Sequence, residues 1–107
     1  MTRPEPALTI HRKIVGIIDQ QTFTVAGYVR RVLAAANPRV PALHDTGLDL
    51  WYEVYPTLTN SESVVTITIV GTGNQIPIGR IGDYIDTVVT PSGLVWHVYA
   101  LVEETER

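Results

Sequence analysis

The run VVTITIV at residues 64–70 constrains the fold of this chain more than any other feature. Valine, isoleucine and threonine are stiff at χ1 and favour pleated sheet over helix. These three residue types make up 37 of the 107 residues, so the preference extends along the whole chain. Within the run, Val65, Ile67 and Ile69 are expected to face one way, and the residues between them the other way. We therefore expect a β protein.

Further segments show strand patterns between turn signals. Residues 48–55 (LDLWYEVY) alternate in polarity, which predicts a half-buried strand with a partly aromatic outer face. Residues 91–93 (PSG) have the chemistry of a hairpin connection between two strands, residues 84–90 and 94–102. The other predicted elements are strands within residues 7–18 and 22–25, turns at residues 19–21 and 56–63, and a loop at residues 38–47.

Residues 28–37 (YVRRVLAAAN) fit two structures. The Leu-Ala-Ala-Ala core suits a helix that ends at Asn37 and Pro38. In a strand, Val29 and Leu33 would not alternate cleanly with the two arginines. We favour a strand because the neighbouring segments are strands, and one short helix is the alternative. About six or seven short strands then predict an all-β fold, a small antiparallel sandwich or barrel.

The length and composition are those of one folded domain. A chain of 107 residues, 45% hydrophobic and 18% charged, can bury a modest core and is not expected to be disordered. Residues 1–6 are expected to form a flexible arm, residues 7–102 a single β domain and residues 103–107 an acidic, solvated tail. No apolar run approaches the roughly 18 residues of a membrane helix and no signal sequence is present, so we expect an intracellular protein.

Charge is distributed unevenly along the chain. The net charge of −3 combines +4 over residues 1–39 (six basic, two acidic) with −7 over residues 40–107 (two basic, nine acidic). One interpretation is a basic face for an anionic partner or for a second copy of the chain. The interpretation we favour is that the two halves interleave in one sheet, where their charges largely cancel. Nucleic acid is not expected as a partner, because binding DNA would need a stripe of positive charge.

A glycine loop directly after the strongest strand resembles loops that cradle phosphate. Glycines permit unusual dihedrals, and successive backbone N–H groups can bind an anion. The loop lacks the Lys-Ser/Thr of a P-loop, and Pro77 argues against a following helix, so a wide connection between strands is the favoured interpretation. The candidate ligand-binding residues of the loop are Gly71, Thr72, Gly73 and Asn74.

Arg80 follows in the same loop and could complete a site for a small anionic ligand, such as a nucleotide signal. An arginine in such a loop more often pairs with a local carboxylate, and Asp83 and Asp86 are near in sequence. The sequence therefore predicts an ion pair first and an anion site second.

No pattern of residues predicts catalysis. His97 is expected to be either a core histidine or a site residue, and the three histidines are too scattered for a metal site. The absence of cysteine excludes disulfides, thiolate metal sites and cysteine nucleophiles. Ser61, Ser63 and Ser92 are interpreted as turn residues rather than nucleophiles. We predict no catalytic residue, no metal ion and no cofactor.

The two tryptophans, Trp51 and Trp96, are expected to anchor the fold, provided that each indole N–H group finds a partner. Aromatic residues on both faces of residues 48–55 also favour burial in an interface. The candidate interface residues are Trp51, Tyr55, Arg30 and Arg31.

Four motifs carry a resemblance to a known family: LW at residues 50–51, IVGTG at residues 69–73, YIDTV at residues 84–88 and PSGLVWHV at residues 91–98. Together they resemble a family of small bacteriophage and prophage proteins with no assigned activity. The long loop at residues 38–47 departs from the pattern of that family. The resemblance implies a phage accessory protein that works in the cytoplasm of a bacterial host.

Proteins of this kind are expected to act by binding. We first expect a homo-oligomeric, non-enzymatic protein that inhibits a host or anti-phage defence protein. The alternatives are a protein that sequesters a small anionic ligand and a minor structural or assembly component of the virion.

Overall fold

The computed structural model describes residues 7–55 and 61–106. The predicted N-terminal arm, residues 1–6, lies outside this part of the chain. Helical structure in the described residues consists of one 3-10 turn, Pro41–Leu43, within the predicted loop. The strands are β1 (Thr9–Gly16), β2 (Gln20–Ala26), β3 (Tyr28–Ala36), β4 (Gly47–Tyr55), β5 (Ser61–Gly71), β6 (Asp83–Val89) and β7 (Val95–Glu106).

The strands form two antiparallel sheets. β4 lies between β1 and β3 in a three-stranded sheet, and the order of the four-stranded sheet is β2-β5-β7-β6. The sheets share one apolar core and do not close into a barrel. The predicted all-β fold is confirmed, and of its two forms the sandwich is the observed one.

The strand with the strongest pattern lies inside the four-stranded sheet. Val65, Ile67 and Ile69 of β5 are buried in the core, as their alternation predicts, and Val98 and Ala100 of β7 lie beside them. Full burial of such a valine or isoleucine side chain is worth roughly 1.5–3 kcal/mol. The three-stranded sheet contributes Val15, Val29, Val32, Ala35, Leu48, Leu50, Tyr52 and Val54 to the same core.

Residues 28–37 form a strand and not a helix, and β3 covers Tyr28–Ala36. Its pairing with β4 shifts register between Val29 and Arg31 and again between Val32 and Ala34. Each shift is a β-bulge with one extra residue, which explains why apolar residues and arginines do not alternate. Burial of Val29 and Val32 outweighs the helix propensity of the alanines, which amounts to less than about 1 kcal/mol per residue.

The bounds of two predicted turns are wrong at their C-terminal ends. Asp19 lies in a bend, but Gln20 and Gln21 begin strand β2. Residues 56–60 of the second turn lie outside the described residues, and β5 begins at Ser61, so Ser63 is a strand residue. Ser63 is fully buried, and its hydroxyl accepts a hydrogen bond from the Val29 N–H group at 2.9 Å and donates one to the Gly27 carbonyl at 3.2 Å. A serine, which often marks turns, is needed here to join β5 to the start of β3.

β4 is buried on both faces, whereas the sequence predicts a half-buried strand. The carboxylates Asp49 and Glu53 are 1% and 8% exposed although they lie on the outer face. Arginines from the two flanking strands lie beside them: Arg12 is 3.6 Å from Asp49, and Arg31 forms an ion pair with Glu53. A buried carboxylate needs such a partner. Arg31 donates a hydrogen bond to Glu53, whereas neither carboxylate oxygen of Asp49 has a hydrogen-bond partner among the described residues.

The two halves interleave in the three-stranded sheet, where β4 lies between β1 and β3, but their charges cancel only in part. The strands of the three-stranded sheet carry four basic and two acidic residues, a net charge of +2. The strands of the four-stranded sheet carry six acidic and no basic residues. The C-terminal acidic residues belong to this second set, because β7 continues to Glu106 where the sequence predicts a separate tail. One layer of the sandwich is therefore positive and the other negative.

Candidate functional site

The predicted glycine loop is a tight turn at the end of β5. The Asn74 N–H group donates to the Gly71 carbonyl at 3.0 Å, and the Thr72 N–H group donates to the Val95 carbonyl at 3.3 Å. Gly73 has a φ of +90°, a conformation that glycine adopts without strain. The chain then continues to β6 without a helix, as Pro77 predicts.

Three cavities, of about 270, 320 and 320 Å³, border this turn, and Gly71 and Asn74 line all three. His97 and Tyr99 line the first cavity, and Trp96 lines the other two. His97 and Trp96 are consecutive on β7 and therefore lie on opposite faces of the sheet, so the three cavities are not one site. We call the cavity of about 270 Å³ the Gly71 cleft; its lining includes Thr72, Ile76, His97 and Tyr99.

A chain of hydrogen bonds crosses one wall of the Gly71 cleft. His97 lies between two hydroxyls, with Nε2 2.9 Å from Thr72 Oγ1 and Nδ1 3.0 Å from Thr87 Oγ1. The Tyr84 hydroxyl is 2.6 Å from Thr87 Oγ1, and the Tyr84 ring packs edge-on against Tyr99 at 5.8 Å. Both imidazole nitrogens are thus engaged, and the ring is held in one orientation by β6 and by the turn. Of the two predicted positions for His97, the core and a surface site, the structure shows the second: His97 lines this cleft.

The groups in this chain of hydrogen bonds are hydroxyls and one imidazole. A threonine hydroxyl beside an imidazole has the geometry of an activated nucleophile. The group on the far side of His97 is a hydroxyl, however, where a catalytic triad places a carboxylate that stabilises the imidazolium. Among the described residues there is also no cluster of three side chains that could hold a metal ion. The arrangement is suited to recognition by hydrogen bonds.

Arg80 does not lie in the Gly71 cleft. Gly71 pairs with Trp96 on β7, whereas the guanidinium of Arg80 lies 3.4 Å from a carboxylate oxygen of Glu103. Glu103 is seven residues further along β7 than Trp96, about 23 Å of extended chain. The structure therefore does not bring together the two parts of the predicted anion site, and the acidic partner of Arg80 is neither of those expected. Among the described residues that line the three cavities, Asp19 carries an acidic side chain, and it lines one of the two cavities beside Trp96.

Trp96 packs against the core beside this turn, as expected of an anchor. A methyl group at Gly71 would lie 3.2 Å from the indole ring, so the close approach of the turn depends on glycine. The indole N–H group is buried without a hydrogen-bond partner among the described residues, so the expected partner is not observed there.

A second candidate surface lies on the outer side of the three-stranded sheet. We call it the Trp51 face and define it by Ile10, Arg12, Ile14, Tyr28, Arg31, Trp51 and Tyr55. The register places Arg12 of β1 and Ala34 of β3 on either side of Trp51. Tyr55 stacks on Tyr28 at 6.2 Å. Ile10 and Ile14 are 63% and 40% exposed, so the face has an apolar component open to solvent.

The exposed charges of the Trp51 face are positive. The side chains of Arg12 and Arg31 are 46% and 62% exposed, while those of their partners Asp49 and Glu53 are 1% and 11% exposed. The carboxylates therefore lie beneath the guanidinium groups, and Glu53 holds that of Arg31 by a hydrogen bond. A partner that approaches from solvent meets an aromatic surface flanked by two arginines.

Of the four predicted interface residues, Trp51, Tyr55 and Arg31 share this face. Arg30 is the extra residue of a β3 bulge and lines a groove of about 280 Å³ between β3 and β7, at the rim of the face. The sequence does not predict Ile10, Arg12 or Ile14 as members of this surface. The sequence does hold a signal for this grouping: the three residues alternate along β1, which puts them on one side of that strand.

The described residues define a two-sheet β sandwich with a cleft beside His97 at one end of the β5–β7 ladder and a positive aromatic face on the other sheet. Residues 6–107 match the domain of unknown function DUF7352, and the chain belongs to that family. No curated protein and no solved structure matches it. Within residues 7–55 and 61–106, no helix has the length and apolar character needed to cross a membrane.

Proposed function

We propose that this chain is a non-enzymatic binding protein that docks the Trp51 face onto a partner protein with an acidic surface. The observation that carries the proposal is the pairing of buried carboxylates with exposed guanidinium groups around Trp51. Tryptophan, tyrosine and arginine are the residue types that most often dominate the energy of protein interfaces. Here all three types occur on one exposed sheet face.

One arginine of the face is held in position before binding. The hydrogen bond to Glu53 restricts Arg31, so less side-chain freedom is lost when a partner arrives. Arg12 lies 3.6 Å from Asp49 without a hydrogen bond. An acidic partner is favoured because both guanidinium groups are partly exposed to solvent, whereas their carboxylate partners are buried. Two copies of this face would repel each other, so a homo-oligomer, which the sequence predicts, would use another surface.

The cellular setting of the proposal comes from the resemblance of the sequence motifs to bacteriophage and prophage proteins. We place the protein in the cytoplasm of a bacterial host, as a phage accessory protein that inhibits a host or anti-phage defence protein.

The proposal is tested with a purified partner rather than with capture alone. Proteins captured from a bacterial lysate would be produced separately, and their affinities measured by calorimetry against the wild-type chain and against Trp51→Ala. Truncation of a central interface tryptophan should raise Kd at least about 30-fold, a loss of roughly 2 kcal/mol. The affinity should also fall as salt is added, because the contact is charged.

Arg80→Ala is the matched control, because it removes an exposed arginine that lies outside the Trp51 face. It should leave Kd within about twofold. An unchanged Kd for Trp51→Ala, in a variant shown by its melting curve to be folded, would contradict the proposal. So would a partner whose contact surface is basic.

A further inference from the structure

We propose that two copies of this chain pair through strand β2, so that their four-stranded sheets join into one continuous sheet. β2 is an edge of its sheet, and among the described residues no strand pairs with its outer side. This edge and the Trp51 face belong to different sheets, so the inference does not depend on the proposed function. Three properties of β2 support it: an unprotected edge, a self-complementary sequence and apolar side chains that are only partly covered.

β2 lacks the features that keep edge strands from pairing. Natural proteins protect free edges with charged side chains, prolines or bulges, because an edge presents a row of unpaired N–H and C=O groups. The other three edge strands have such features: β1 carries Arg12 and Lys13, and β3 and β6 both contain bulges. β2 (QQTFTVA) is uncharged, contains no proline and pairs with β5 without a shift of register. β2 is therefore the edge that is open to a further strand.

The free backbone groups of β2 belong to alternate residues. The Ile69 N–H group donates to the Asp19 carbonyl at 3.0 Å, so Asp19, just before β2, directs its carbonyl towards β5. The direction of the backbone groups alternates along a strand of an antiparallel pair. The residues of β2 whose N–H and C=O groups point away from β5 are therefore Gln20, Thr22, Thr24 and Ala26.

A second copy of β2 matches these free groups. In an antiparallel pair centred on Phe23, Thr22 of one copy lies opposite Thr24 of the other, and Gln20 lies opposite Ala26. These four residues are the ones with free groups, so the pair forms about eight backbone hydrogen bonds. The two Phe23 residues face each other at a position without hydrogen bonds, where side chains come closest. Aromatic and Thr–Thr pairs are favourable across strands, and no like charges within β2 meet.

Pairing also covers apolar side chains at the open side of the sandwich. Phe23 and Val25 point towards the core but are only partly buried. The two sheets pack most closely where β3 lies against β6 and β7, so the opposite side, with β1 and β2, is less covered. A second copy that lies against this side removes more of the Phe23 surface from water, which favours association.

The arrangement is compatible with the charges of the protein. Two identical strands that pair antiparallel in one sheet are related by a two-fold axis perpendicular to that sheet. The two Trp51 faces then point in the same direction and do not meet. The ammonium group of Lys13 lies 5.2 Å from the centre of the Phe23 ring in each copy, so two positive charges lie near the contact. Added salt screens their repulsion and should not weaken the dimer, in contrast to the contact with an acidic partner.

Sedimentation velocity of the full chain over a range of concentrations tests the pairing. The mass should rise from 11.8 kDa towards twice that value, with a Kd on the order of 10 μM, because strand pairing buries less surface than a standard interface. Thr22→Lys/Thr24→Lys changes two exposed side chains and places lysine opposite lysine, so Kd should rise at least about tenfold.

Ile76→Lys/Ile78→Lys is the matched control, because it adds the same charge at two exposed positions outside β2. It should leave Kd within about threefold. Two results would each overturn the proposal: a monomer at every concentration, or a dimer that the control variant disrupts and the folded β2 variant does not.

Disulfide formation tests the register, because the chain contains no cysteine of its own. Thr22→Cys and Thr24→Cys chains, mixed and oxidised, should form a cross-linked dimer, since residues directly opposite each other have Cα atoms about 5.5 Å apart. Either variant alone should cross-link far more slowly, because its two cysteines are offset along the strands and lie about 8–9 Å apart. Equal cross-linking of the mixture and the separate variants, or none in the mixture, would contradict the proposed pairing.

Discussion

Replacing Ser63 with alanine is expected to destabilise the sandwich although it removes only one oxygen atom. That oxygen satisfies the Val29 N–H group and the Gly27 carbonyl, and all three residues are buried. Each buried polar group left without a partner costs roughly 1–3 kcal/mol. The Gly27 carbonyl keeps a second lone pair, so the lower part of the range applies to it, and we expect a total loss of about 2–4 kcal/mol. This is a large share of the roughly 5–15 kcal/mol that stabilises a domain.

Urea unfolding followed by tryptophan fluorescence measures this loss. The midpoint should fall without a change in the slope, because the amount of surface exposed on unfolding stays the same. Ser92→Ala is the matched control: its hydroxyl contacts Asp45 at 2.7 Å in an exposed position, and its loss should cost no more than about 1 kcal/mol. The reasoning is refuted if Ser63→Ala is no more destabilising than Ser92→Ala.

Two further predictions concern a turn and a buried tyrosine. Gly82→Ala should lower the free energy of unfolding by about 3 kcal/mol or more, because the added Cβ would overlap the Ala100 carbonyl. At Gly73 the added Cβ would face open space, so Gly73→Ala should cost only the roughly 1–2 kcal/mol that a positive φ imposes. Equal melting temperatures for the two variants would contradict this. Burial raises the pKa of Tyr52 above its ordinary value of 10.0, so the unfolded chain loses the proton first and stability should fall as pH rises above about 10. Alkaline unfolding of Tyr52→Phe should show a smaller loss than wild type, and Tyr84→Phe, at an exposed ring, should behave like wild type.

The elements that the sequence predicts well are those whose signal is local. The alternation of Val65, Ile67 and Ile69 needs no knowledge of the rest of the chain, and the core of the four-stranded sheet follows from it. The bulges of β3 are harder to predict from the sequence, because each extra residue breaks the period of two that identifies a strand. The prediction of Ser63 as a turn residue is wrong for a related reason. Its hydroxyl forms hydrogen bonds with backbone groups more than thirty residues away in sequence.

The candidate surfaces depend on register, which local patterns do not contain. Thr87 and His97 are ten residues apart but lie opposite each other on β6 and β7, and Thr72 joins them from the end of β5. For the same reason, the sequence does not show that Arg80 lies far from the glycine turn. The two are close in sequence, but the connection to β6 carries Arg80 along β7 to Glu103. Residue types at the turn were predictable, and their neighbours in space were not.

The segregation of charge between the two sheets gives the molecule an electric dipole across its stacked layers. Packed sheets lie about 10 Å apart, close to the Debye length of about 8 Å at physiological salt, so solvent ions do not fully screen this field near the surface. The field of an acidic partner would orient the protein with its three-stranded sheet towards that partner. Association would therefore be faster at low ionic strength. The distribution of strands between two layers thus selects the orientation of the first encounter before any side chain makes contact.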